Sequence, residues 1–341
     1  MLHLRLIVPP DLVPPVMEIL EEAPAVTNLW MLAGAAAKPA GDLVSCDVAK
    51  EDATRVLGEL RALGLEDRGS IAAEYVDVSL SQGARDAELA AEGSPADAVV
   101  WEDVEGRVRE SSTLSISFLV LMVIATMMGA IGILTDSIIL LIGAMLVGPE
   151  YGPLAGISVA VVEGRLRQAA TSLQAILIGF PLGMVSAAAL TALLRLIGIA
   201  PDTLLPEDHA LTLFIAEPNW YSVIVAVLAG VVGVLALVGA KSTVLVGVLI
   251  SVTTIPAAAN VGVAAVYGDW ESARGAAILL VINLLAIVMS GITVLWVIKR
   301  NRIRRSEQGS APTLRDQHRG DQSIPRVMET EIGGDPLGDG P

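Results

Sequence analysis

Residues 2–8 (LHLRLIV) alternate, with Leu2, Leu4, Leu6 and Val8 on one face, which predicts a half-buried β-strand. The period then changes to that of a helix, with Val16, Ile19 and Leu20 as its apolar stripe; Asp11 can cap it, and Pro14 and Pro15 pre-shape its first turn. Residues 25–33 and 43–48 read as two strands across a Gly/Pro-containing loop. Ala53, Val56, Leu57, Leu60 and Leu63 recur at helical spacing over residues 50–63, Gly64 ends that helix, and residues 71–80 supply a last strand. The order βαββαβ predicts a ferredoxin-like α+β domain over residues 1–82. That fold hosts many unrelated functions, small-ligand sensing among them, so it names no activity.

The pattern changes again after residue 80. Residues 81–98 (SQGARDAELAAEGSPADA) are small, polar and acidic and read as a linker; residues 83–110 connect the first domain to the hydrophobic half of the chain. Val100, Trp101, Val104 and Val108 share one helical face, which suits either an interfacial helix with Trp101 at the bilayer surface or a helix packed on the first domain. Six hydrophobic segments come next, at 114–134, 137–162, 169–194, 219–239, 242–267 and 273–298. Each meets or nearly meets the roughly 20 apolar residues that a membrane span requires. Residues 111–300 are therefore expected to be a six-span membrane domain, followed by a basic stop and a disordered polar tail over 301–341.

Charge adds orientation to this plan. Arg107 and Arg109 precede the first span, Arg165 and Arg167 follow the second, Lys241 follows the fourth, and Lys299, Arg300, Arg302, Arg304 and Arg305 follow the sixth. All fall on one side if both termini are cytoplasmic, in a prokaryotic inner membrane. The opposite side has Arg195 and Arg274, and its long loop 198–218 carries only acidic charges. The net charge is −15, and residues 1–110 hold 21 Asp/Glu against 9 Lys/Arg, which argues against a nucleic-acid partner. The lone Cys46 excludes a disulfide framework and a cysteine zinc site, and no cleaved signal peptide is read in the first 30 residues.

Shifting the membrane region by 104 residues superimposes its halves without a gap: Gly129 on Gly233, Leu141 on Leu245, Gly143 on Gly247, Ala155 on Ala259, Gly164 on Gly268 and Ala169 on Ala273. Each half has three spans, an odd number, so the second must be inverted relative to the first. The fold class expected is thus an α-helical polytopic membrane protein of two inverted three-helix repeats with broken middle helices, plus the ferredoxin-like domain. The breaks fall at GPEYGP, with Gly148, Pro149, Gly152 and Pro153, and at TTIPAAAN, with Thr253, Thr254, Pro256 and Asn260. Inverted repeats with broken helices mark secondary transporters, whose freed backbone groups meet substrate and coupling ions.

Glu150 leads the candidate chemistry. A carboxylate at that depth can be neutralised by Na⁺ or a proton; alternatively it caps the half-helix on its C-terminal side. Ser251, Thr253, Thr254 and Asn260 are the polar groups of the partner segment, with Asn260 above the rest, since Ser and Thr in spans usually bond their own backbone. Asn283, Ser290 and Thr293 read as interhelical contacts rather than ligands. His3, His209 and His318 are scattered and form no metal constellation. No phosphate-binding loop, nucleophile elbow, HExxH or paired cysteines occur, so an enzyme is disfavoured and no cofactor is expected.

With GAMLVGPEYGPLAGI (143–157), the pattern over 110–122 and IPAAANVG (255–262), the chain resembles the hydrophobic bacterial and archaeal membrane proteins grouped as domain of unknown function 389. The resemblance covers residues 101–298, and its most specific part is the GPE-GP element. The matching positions are Gly143, Gly148, Pro149, Glu150, Gly152, Pro153, Pro256 and Asn260. It implies an architecture, with a small soluble domain like the one here, and no substrate. The expectation is a secondary transporter of a small solute or ion, H⁺- or Na⁺-coupled, in the lipid bilayer. The cytoplasmic domain would regulate it or assemble a homo-oligomer. A channel using the same broken helices, or a membrane-anchored sensor, are the alternatives.

Overall fold

The computed structural model describes residues 1–76, 78–91, 100–203, 220–239, 247–248 and 253–309. The chain divides into two compact units, Met1–Trp296 and Val297–Pro341; in the second, the described residues 297–309 are helical. Ser251, most of the loop 198–218, the first part of the fifth hydrophobic segment and the tail beyond residue 309 lie outside the described residues.

The N-terminal region is an open four-stranded sheet with helices on one face. Its elements are β1 (Leu2–Val8), α1 (Val13–Glu22), β2 (Val26–Ala37), β3 (Ala40–Val48), α2 (Lys50–Ala62), the one-turn α3 (Leu65–Arg68) and β4 (Ser70–Tyr75). The sheet order is β2-β3-β1-β4 with every neighbouring pair antiparallel, as a ferredoxin-like βαββαβ chain produces. The alternation of β1 puts Leu2, Leu4, Leu6 and Val8 into a core with Val16 and Leu20 of α1 and Val56, Leu57 and Leu60 of α2. Each such side chain, fully buried, contributes roughly 1.5–3 kcal/mol.

Three local features depart from the sequence pattern. A 3₁₀ turn at Pro10–Leu12 delays α1, so Asp11 does not cap it but pairs with Arg68, both carboxylate oxygens lying 2.8 Å from Nη2. The β2–β3 hairpin runs on to Ala37 and Ala40, because its alanines and Gly34 carry no alternation to read while their backbones still pair. Two register shifts interrupt it, at Asn28 and at Gly34, both with positive φ. Finally, part of the stretch read as a linker is a helix, α4 (Gln82–Ala90). Ser81 Oγ accepts from Ala84 N (3.0 Å), and Ala84 and Ala87 pack on Met1, Ala25 and Ala49.

The juxtamembrane helix α5 (Trp101–Ser111) is held by the first domain. Val100 joins that domain's core, Trp101 is buried, and Tyr75 Oη donates to Asp103 (3.0 Å). Trp101 is therefore not at a lipid surface, and of the two readings the packed helix holds.

Beyond it lie α6 (Ile116–Leu134), α7 (Ile138–Val147), α8 (Tyr151–Glu163), α9 (Leu166–Leu196), α10 (Trp220–Val238), α11 (Thr254–Tyr267) and α12 (Trp270–Gly309). Ser115 caps α6 and Ser137 caps α7, each through its hydroxyl. Among the described residues, α6, α9, α10 and α12 are long and apolar enough to cross a membrane; α7 and α8, bent by 48° at their junction, make a fifth if taken as one span. This is a multi-pass helical membrane region. Its outward-facing Leu, Ile and Val side chains have lipid as their natural solvent.

Candidate functional site

Helix α7 stops at Val147 because Pro149 lacks a backbone donor and its ring disfavours helical backbone at Gly148, whose φ/ψ of −62°/126° is extended. The chain resumes as α8 after three residues, and Glu150 occupies the turn with helical backbone but no side-chain cap bond. The capping role is therefore not what its carboxylate does. Glu150 is 3% exposed, and Oε1 accepts a hydrogen bond from Thr254 Oγ1 at 2.7 Å. Oε2 has no hydrogen-bond partner. Gly148 makes room for it: a Cβ there would collide with Oε2 and lie 2.7 Å from Ile255 Cγ1.

Thr254 is the first residue of α11, so the α7–α8 break meets the start of α11 through these side chains. Thr253, just before it, accepts from Asn283 Nδ2 of α12 (3.3 Å). Asn283 is 1% exposed, and its Oδ1 has no partner. Asn283 thus makes an interhelical contact, as its place in a span led one to expect. Pro153 and Pro256 are buried in the first turns of α8 and α11, where a missing N–H costs nothing. Pro149 is half-buried in the break.

Asn260 is elsewhere. It donates to Ser272 Oγ at the start of α12 (3.2 Å) and does not reach Glu150. Gly152 abuts the Ser111 carbonyl, and its own carbonyl accepts from Ser112 Oγ (3.0 Å). At the far end of α8, Arg165 forms a two-pronged pair with Glu105 of α5, at 2.9 and 2.8 Å. Helix α5 thus meets the first domain through its N-terminal turn and reaches both ends of α8 through Glu105 and Ser111.

A shift of 104 residues carries the end of α6 at 134 onto the end of α10 at 238, and the start of α9 at 166 onto the start of α12 at 270. Gly164 and Gly268 end α8 and α11 with φ of 73° and 74°. Glu150 and Thr254, which touch, are themselves equivalent under the shift. Contacts between the halves recur with the partners exchanged. A Cβ on Gly129 would lie 3.9 Å from Ile255 Cγ2, and one on Gly233 would lie 2.7 Å from Tyr151 Cε2. Ser158 Oγ donates to the Val288 carbonyl at 3.3 Å, while Gly262 abuts the Met184 carbonyl.

One constellation in the first domain has no signature in the sequence. His3 Nδ1 lies 2.7 Å from Asp47 Oδ1 and its Nε2 lies 3.0 Å from Ser45 Oγ. Ser45 is 1% exposed and donates to the Leu4 carbonyl (3.0 Å), so its oxygen is closed to any substrate. The trio ties β1 to β3.

The comparisons with known proteins centre on the same break. Residues 145–289 match the family model described as a domain of unknown function, DUF389. The match covers 145 of the chain's 341 residues and is consistent with membership in that family. The matched DUF389 interval contains Glu150, Thr254, Asn260 and Asn283. An uncharacterized protein of Methanocaldococcus jannaschii is 26% identical over 202 residues. The alignment spans 58% of this chain and 58% of that protein's length. No solved structure matches.

Proposed function

We propose that the protein is a secondary transporter of a small solute or ion, coupled to H⁺ or Na⁺, with its site at the meeting point of the two interrupted helices. The reading takes the membrane region as six spans in two inverted three-helix halves. Both termini lie on the cytoplasmic side of a prokaryotic inner membrane, with the ferredoxin-like domain regulating transport or assembling copies of the chain.

The observation that carries it is Glu150: a buried carboxylate in a helix break, bonded to the residue that stands at its own position in the other half. Two residues equivalent under a two-fold rotation touch only next to its axis. The exchanged contact pairs across the halves support the same axis. Three spans per half place that axis in the membrane plane, the arrangement in which transporters bind at the repeat interface. Irregular backbone is tolerated inside a membrane where it is buried in protein or lines a wet cavity. A carboxylate bound by a proton or cation on one side and released on the other supplies coupling.

The test is flux into proteoliposomes across a panel of ions and small metabolites. Glu150→Gln keeps the side-chain shape and an acceptor for Thr254, so it is expected to fold and to lose coupled uptake. Uptake by Glu150→Gln equal to wild type removes Glu150 from the mechanism. Turnover far above that of an alternating-access cycle would instead favour the channel.

A further inference from the structure

We propose that the break is a binding site for a monovalent alkali cation of the Na⁺ class, with Glu150 Oε2 and Asn283 Oδ1 as two of its ligands. The inference rests on the reading of this break as the ion site; it chooses the cation over the proton and adds as a ligand Asn283, which the sequence reads as an interhelical contact.

Glu150 and Asn283 are each more than nine-tenths buried, and each spends one end on a threonine of the same pair. Glu150 Oε1 takes the Thr254 hydroxyl at 2.7 Å, and Asn283 Nδ2 donates to Thr253 Oγ1 at 3.3 Å. The remaining oxygen of each, Oε2 and Oδ1, has no donor. Buried polar atoms are ordinarily paired, and one left unpaired costs about 1–3 kcal/mol. The two unpaired oxygens thus belong to side chains bonded to neighbouring residues, Thr253 and Thr254. A proton on Oε2 would let Glu150 donate to an acceptor such as Oδ1, so Na⁺ binding itself is what separates a cation from a proton. A cation can satisfy both.

The donor set selects the ion. Carboxylate, carboxamide and hydroxyl oxygens are hard ligands that suit alkali and alkaline-earth cations. Among the described residues no group of three or more His, Cys, Asp or Glu is placed to hold a transition metal. One carboxylate balances one positive charge; a divalent ion would keep an uncompensated charge in apolar surroundings. The site is single, because the residue equivalent to Asn283 in the first half is Gly179, which packs on the Phe118 ring.

The test is ²²Na⁺ binding to the purified full-length protein in detergent, with NaCl, KCl and choline chloride as competitors at constant ionic strength. Wild type is expected to bind saturably, with Glu150→Gln and Asn283→Ala each raising Kd at least tenfold. Ser290→Ala on the same helix, whose hydroxyl bonds its own backbone, leaves Kd unchanged. Absence of saturable binding by wild type, or an unchanged Kd in Asn283→Ala, overturns the proposal. Should Asn283→Ala not fold, Asn283→Asp decides: a second carboxylate is expected to make Ca²⁺ displace ²²Na⁺ at least tenfold better than it does in wild type, and no change refutes the site. Flux without Na⁺ binding overturns this proposal and leaves the transport reading standing. Binding without flux of any solute does the reverse.

Discussion

Replacing Thr254 with Val keeps the side-chain shape and removes the hydroxyl that donates to Glu150 Oε1 at 2.7 Å. Both oxygens of a carboxylate that is 3% exposed are then without a donor, since Oε2 has none already. A hydrogen bond to a charged group contributes about 1.5–3 kcal/mol net in soluble proteins. Interhelical bonds measured inside a membrane protein average only about 0.6 kcal/mol and reach about 1.7, because the unfolded helices also find partners. The Glu150–Thr254 bond is short, at 2.7 Å, so the upper part of that membrane range, about 1.5 kcal/mol, is expected. The measurement is a double-mutant cycle of Thr254→Val and Glu150→Met, followed by equilibrium unfolding in mixed micelles. Each single variant should be less stable than wild type, and the double variant more stable than the sum of the two losses by about 1–1.5 kcal/mol. A coupling within about 0.5 kcal/mol of zero refutes the argument that the α7–α8 break and the start of α11 are joined through this pair.

Two further outcomes rest on the geometry. Gly148→Ala places a methyl group against Glu150 Oε2 and Ile255, and should lower stability by about 1–3 kcal/mol in the same unfolding assay. Gly143→Ala, whose Cβ would meet only the flexible end of Met128 at 3.4 Å, should be nearly neutral, and equal losses for the two would refute the close-approach argument. In the first domain, burial in the sheet core pushes the Cys46 thiol from 9 up to about 12. Below pH 9 the thiol is protonated in both folded and unfolded chains and contributes no pH dependence. Between pH 9 and 12 only the unfolded chain ionises, so domain stability falls with rising pH by up to about 1.4 kcal/mol per unit. Alkylation of native protein at pH 8 should accordingly be at least about 100-fold slower than in denaturant, and equal rates would show that Cys46 is not enclosed.

Much of the architecture was legible in local patterns. The alternation of β1 and the helical stripes of α1 and α2 are properties of a few adjacent residues, and a βαββαβ order leaves few ways to cover one sheet face. The apolar segments are equally local, because a span is a matter of length and polarity. Where the pattern was silent, as in the alanine-rich end of the β2–β3 hairpin and the small polar residues of α4, the fold relied on backbone pairing and a serine cap that periodicity does not encode.

The candidate site divides along the same line. Sequence alone determined that Gly148, Pro149 and Glu150 would break a membrane helix, since Pro and a buried charge act on their own segment, and the 104-residue offset pointed to the second break. Only the tertiary structure decided which side chains meet there. Asn260 follows Thr254 by six residues, which on an α-helix is a rotation of about 240° and a rise of about 9 Å, so only one of them can face Glu150. Thr254 does, and Asn260 turns to Ser272. The rotation of each helix about its own axis is set by packing against neighbours far away in sequence. For the same reason Trp101 is buried in protein rather than at a lipid surface, and Asn283 reaches Thr253.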